Sequence, residues 1–250
     1  MGFTFRPVAV PPLKPAAAPA LKADFSNLKD LPLPDLKRHL TGPDKPKIVV
    51  ALLTQMESIA RAGTGLSYAD ISEPERQEGL SCATMLLING VIAVGGRKYI
   101  TEKPAELARR IRSIAMDREA KLAVLEQQAE ANSDMSMKTV SNYFPEVGIP
   151  LYARESQFNP VKVTEEMFQK NRFLGFSDDN SFHAFCVVPL AEATIENFAV
   201  KLDSLSGRKT VLNIIEFASM LLSAEVISKN GWQDDSIIYE LNENRKSNLV

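Results

Sequence analysis

Hydrophobic positions recur at helical spacing along most of this chain. Val49, Leu52, Leu53, Met56, Ile59 and Ala60 form one stripe between Asp44-Lys45-Pro46 and Gly63, which predicts a helix ending near Ala62. Ser72 and Glu75 have capping-box spacing, with Pro74 in the first turn, ahead of a segment apolar from Leu80 to Val94. Gly90 weakens that second helix and Gly95-Gly96 ends it. A third helix, from near Pro104 to about Ala131, places Leu107, Ile111, Ile114, Leu122 and Leu125 inward. Further on, Thr164 caps a helix holding Met167, Phe168 and Phe173, while Phe182, Phe185, Val187 and Val188 read as core, helical or strand. Pro189 opens a helix with the stripe Ile195, Phe198, Ala199, Leu202 and Leu205. Ser206-Gly207 then turns the chain into its most apolar stretch, Thr210 to Lys229. That stretch is apolar almost all round, so it reads as a buried core helix with Asn230-Gly231 as its C-cap.

These elements predict a mostly α fold: a helical core of two lobes with an extended Pro/Ala-rich N-terminal arm and a polar C-terminal tail. The expected divisions are an arm over 1–46, a first helical lobe over 47–131, a loop-rich connector over 132–162, a second helical lobe over 163–231 and the tail over 232–250. The arm contains Pro-Pro-Leu-Lys-Pro-Ala-Ala-Ala-Pro-Ala, which favours extended, polyproline-like backbone. It also carries Phe3, Phe5, Phe25, Leu28, Leu31, Leu33 and Leu36, more apolar side chains than a solvating linker needs. A segment of this kind suits a groove, on its own domain or on a neighbour.

Composition narrows the function classes. With 29 basic and 31 acidic residues the net charge is -2, so nucleic-acid binding would need a local basic patch. Two cysteines make no disulfide framework and point to a reducing compartment, and two histidines make a multi-histidine metal site an unsuitable reading. Prolines interrupt any apolar leader, Arg6 stands where a myristoylation site wants Ser or Thr, and no run suits a membrane span. The expectation is a soluble, cytoplasmic protein without cofactor or metal.

Three stretches carry residue types suited to chemistry. His183 and Cys186 could form a nucleophile pair, but the flanking Phe182, Phe185, Val187 and Val188 favour a packed cysteine. Gly95-Gly96-Arg97-Lys98 matches neither phosphate-binding fingerprint and is explained by a helix C-cap. Glu165-Glu166 fits the first turn of a helix, where the dipole favours acids. No catalytic residue is assigned. Basic residues remain: Arg97 and Lys98 beside Tyr99, then Arg109, Arg110 and Arg112 at the helix end where the dipole disfavours cations, with Arg172 as a facing contributor.

Ala23-Asp24-Phe25-Ser26-Asn27, followed by Pro32, Pro34 and Asp35-Leu36-Lys37, resembles the arm of coat proteins from flexuous filamentous plant RNA viruses. The resemblance covers roughly fifteen residues and the order of a Pro/Ala-rich leader before a helical domain. It implies an arm that docks on the adjacent subunit and a helical core that holds single-stranded RNA in a groove. The expected function is therefore a coat or nucleocapsid protein, found in the virion and host cytoplasm. It would assemble with itself through Phe25, Leu28, Leu31, Leu33 and Leu36 and package RNA through Arg97, Lys98, Arg109, Arg110, Arg112 and Arg172. The alternative is a cytoplasmic adaptor or scaffold that binds a protein partner through the Pro-rich arm and never meets RNA.

Overall fold

A computed structural model of the protein describes residues 25–77, 82–125, 136–155, 159–178, 183–223 and 236–244. The helices among them are α1 (Leu33–Thr41), α2 (Lys45–Ala62), α3 (Cys82–Gly95), α4 (Pro104–Leu125), α5 (Met137–Ser141), α6 (Pro160–Met167) and α7 (Ile214–Ser223). The strands are β1 (Leu151–Glu155), β2 (Arg172–Asp178), β3 (His183–Pro189), β4 (Ala199–Asp203), β5 (Arg208–Leu212) and β6 (Ser236–Leu241). All six form one antiparallel sheet in the order β1-β6-β2-β3-β4-β5. The mostly α, two-lobed, all-helical reading is thereby overturned. Helices from both expected lobes pack on a single sheet built from residues 151–241.

The sheet separates two apolar layers. Phe173, Ala184, Cys186, Val188, Val200, Leu202, Tyr239 and Leu241 face α3, α4 and α5. Leu174, Phe176, Phe185, Val187, Ala199 and Ile238 face α2, α6 and α7. The alternation follows from the period of two along a strand. β3 is buried along its whole length, so both its faces are apolar and no helical or strand period survives in its sequence. α3 is buried nearly all round because it lies between the sheet and α4. A Cβ at Gly90 would stand 2.2 Å from the Phe173 ring, so this glycine admits the close approach of α3 to β2.

Five local expectations change with the sheet. Ala199-Val200-Lys201-Leu202-Asp203 is β4, not a helix, and Ser206-Gly207 turns a β-hairpin, with Gly207 at φ 67°. The apolar stretch starting at Thr210 divides into β5 and α7 at Asn213. There Asn213 Oδ1 accepts the Glu216 N–H and Glu216 Oε2 accepts the Asn213 N–H, a reciprocal cap that starts the helix. Thr164 lies inside α6, which Asn159 caps, so Glu165 and Glu166 belong to its later turns. Ser236–Leu241, read as polar tail, supplies the inner strand β6. Ser72 and Glu75 cap no helix. The Asn89 side-chain amide instead binds both the N–H and the C=O of Glu75. The proline-rich leader 1–24, Phe182, the expected helix end near Ala131 and the C-cap at Asn230-Gly231 lie outside the described residues.

The two sheet edges differ. Along β5, the segment from Tyr68 to Gln77 covers the edge: Glu73 accepts the Lys209 N–H, and Lys209 Nζ donates to the carbonyls of Tyr68 and Ile71. Arg76 and Gln77 fasten the same segment to the β4–β5 turn through Ser206 and Ser204. Among the described residues, β1 pairs only with β6, and its outer side carries no strand.

Candidate functional site

Residues 25–41, which follow the Pro-rich leader in sequence, pack on the body of the fold. Leu28 and Leu36 are buried with Ile48, Leu52 and Met56 of α2 and with α6, and Phe25, Leu31 and Leu33 pack against the same cluster. Gln55 on α2 brackets the start of this segment: its Nε2 donates to the Phe25 carbonyl and its Oε1 accepts the Leu28 N–H. Asn159 donates to the carbonyls of both Leu28 and Leu31 while its Oδ1 caps α6. Lys29 pairs with Glu165 at 3.0 Å. The five residues expected to dock an arm on a neighbour are thus engaged by their own chain. Beside them, an open cleft of about 460 Å³ is lined by Ile59, Gly63, Thr64, Phe168, Gln169 and Lys170, among others.

The six expected RNA contacts do not converge on one groove of free cations. Arg97 pairs with Glu75, Lys98 with Glu243 and Arg110 with Glu102. Tyr99 donates to the same Glu243 carboxylate. Arg172 is only 8% exposed and lies against Glu240 and the Glu166 carbonyl, so it stiffens β2 and β6 and presents no guanidinium to a ligand. Arg109 and Arg112, three residues apart on α4, are in no ion pair among the described residues. A paired cation offers a phosphate little, because binding must first displace a carboxylate that already neutralises it.

His183 and Cys186, three residues apart on one strand, point to opposite faces of the sheet. Cys186 is fully buried among the α3 layer, and that burial pushes its thiol well above the ordinary range, away from the thiolate that nucleophilic chemistry needs. His183 faces the other layer, where its Nε2 lies 2.7 Å from Asp203 Oδ1 across β3 and β4. The same Asp203 oxygen accepts the N–H groups of Leu205 (2.9 Å) and Ser206 (3.3 Å) in the hairpin turn. Burial alone would push the Asp203 carboxyl up, but the His183 ring and these two N–H groups outweigh it and hold the carboxyl below its usual range. Nearby, Lys201 Nζ sits 3.9 Å from the centre of the Phe185 ring. The pair and its turn fasten the β4–β5 hairpin to β3. The sequence singled out His183 but not Asp203, whose signal was the Asp-Ser-Leu-Ser-Gly turn pattern.

Among the described residues no helix is long and apolar enough to cross a membrane. No protein-family model and no curated protein matches the chain.

Proposed function

We propose that the chain is a cytoplasmic scaffold that works by binding a protein partner through its Pro-rich N-terminal segment. The observation that carries this reading is the rooting of residues 25–41. Leu28, Leu36, Gln55, Asn159 and the Lys29–Glu165 pair fix the point from which residues 1–24 depart. A tethered segment containing Pro12-Leu13-Lys14-Pro15 has the composition that aromatic-lined, polyproline-binding grooves accept, since its backbone gives up little entropy on docking. The RNA-packaging reading loses two supports. The helical core that its resemblance implied is not the fold, and four of its six cations are held by carboxylates of the same chain. Arg109 and Arg112 are what remains for it.

The test has two arms. The full chain is titrated with a panel of polyproline-binding domains, and saturable binding that disappears in a Pro12→Ala, Pro15→Ala variant is the expected result. In parallel, fluorescence anisotropy follows two unrelated single-stranded RNAs across a salt series. Tight, salt-steep RNA binding that drops in an Arg109→Ala, Arg112→Ala variant, with no domain bound, replaces the scaffold reading by the RNA reading.

A further inference from the structure

We infer that the open edge of β1 is a self-association site at which two copies of the chain join their sheets in antiparallel fashion. The inference is independent of the Pro-rich segment. It starts from the direction of the backbone groups. Asn242 donates its N–H to Pro150 on the β1 side, and Leu241 donates to Asn171 on the β2 side. In an antiparallel ladder these directions alternate, so Tyr152 and Arg154 spend their backbone groups on β6. Leu151, Ala153 and Glu155 then direct theirs outward. The Leu151 N–H is taken by the Ile149 carbonyl, which leaves Ala153 and Glu155 as the outward donors.

Tyr152 and Arg154 make this edge self-complementary. An isologous pairing centred on Ala153 sets Ala153 against Ala153 of the second copy and Leu151 against Glu155. It also sets Tyr152 opposite the second copy's Arg154, twice, in the closely spaced, non-hydrogen-bonded positions where side chains meet. On that face Tyr152 already neighbours Glu240, and Arg154 binds Glu240 at 2.8 Å. The joined sheets would carry acid, aromatic ring and guanidinium side by side across the junction, with the charges alternating in sign. A short, five-residue edge strand that bears the charged Arg154 is guarded against indiscriminate strand addition, so a matched second copy is favoured over an arbitrary strand. The contrast with β5 is consistent with this: the chain covers that edge with its own segment from Tyr68 to Gln77.

Sedimentation velocity of the full chain over a concentration series tests the inference. The wild type should pass from monomer to dimer, with amide exchange at Ala153 and Glu155 slowing as the dimer forms. Ala153→Pro removes an outward N–H that no described residue accepts, and edge strands tolerate proline at such a position. It deletes two symmetry-related hydrogen bonds per dimer, so the dissociation constant should rise about 30-fold. Arg154→Glu, at an exposed side chain, provides a second variant should the proline disturb the fold. It places like charges beside Glu240 and should also favour monomer. A Pro12→Ala, Pro15→Ala chain should dimerise as wild type does, which separates failure here from failure of the scaffold reading. A wild type that stays monomeric at every concentration, or folded edge variants that dimerise unchanged, overturns the inference.

Discussion

Replacing Gly90 with alanine sets two opposing effects against each other. Alanine is the better helix former, by about 1 kcal/mol in a helix interior. Its Cβ, however, would lie 2.2, 2.4 and 2.5 Å from three atoms of the Phe173 ring. That ring cannot swing aside easily, being fully buried and stacked on Tyr239 with centroids 5.4 Å apart. Overpacking a core usually costs about 1–3 kcal/mol, and contacts this short with a confined ring belong at or above the upper end. The net expectation is a loss of about 2 kcal/mol, or a melting point lower by about 4–8 °C for a chain of this size. Thermal unfolding by circular dichroism and urea midpoints would both report it. Phe173→Leu, destabilising alone, should recover part of the loss when combined with Gly90→Ala, because the shorter side chain vacates the contested space. A Gly90→Ala protein as stable as wild type, or more so, would refute the claim that this glycine exists for close packing.

Two further perturbations address the groups around β3. Cys186 should resist alkylation in the native protein while half-buried Cys82 reacts, and Cys186→Ala should cost about 1 kcal/mol without loss of binding; mass spectrometry showing both thiols labelled at one rate would contradict this. The lowered Asp203 carboxyl contributes stability that is present above its unfolded value, about 3.9, and is lost as pH falls through the lower folded value. The urea-midpoint difference between wild type and Asp203→Asn should therefore shrink below about pH 4, and a difference that stays constant from neutral to strongly acidic pH would disprove the assignment.

Helices with one exposed flank were readable from the amino-acid pattern, and strands buried on both sides were not. α2 matches its expected bounds, and Leu52, Met56 and Ala60 of its stripe are buried where α6 and α7 cover it; the first buried position is Ile48, with Val49 only half-buried. β3 shows no period, since α3 lies on one face and the α6–α7 layer on the other. In β4 the alternation of Val200 and Leu202 with Lys201 and Asp203 was present, but Phe198, Ala199, Leu202 and Leu205 also fit a helical stripe. The Asn213–Glu216 cap was a local signal that could have divided β5 from α7. Gly90 reads as a weak point in a helix, but the aromatic ring that requires it lies more than eighty residues away. The basic residues were visible too; their carboxylate partners, such as Glu243 for Lys98, come together only through the fold. His183 illustrates the same limit, because its partner Asp203 is set by the register of two strands.

The position of β6 has a consequence for how the protein must be made. It comes last in sequence among the described strands, yet it lies between β1 and β2 and pairs with both. A ribosome delivers β1 and β2 first, and the roughly sixty residues from the end of β2 to the end of β6 take about 3–12 s to synthesise at usual rates. Throughout that interval the facing sides of β1 and β2 lack the strand that joins them, and Phe173 lacks the Tyr239 ring on which it stacks. The nascent chain is therefore a natural client for chaperones that shield strand edges. A chain cut short before Ser236 would hold β1 and β2 with no β6 to join them, which makes such a truncation an aggregation hazard.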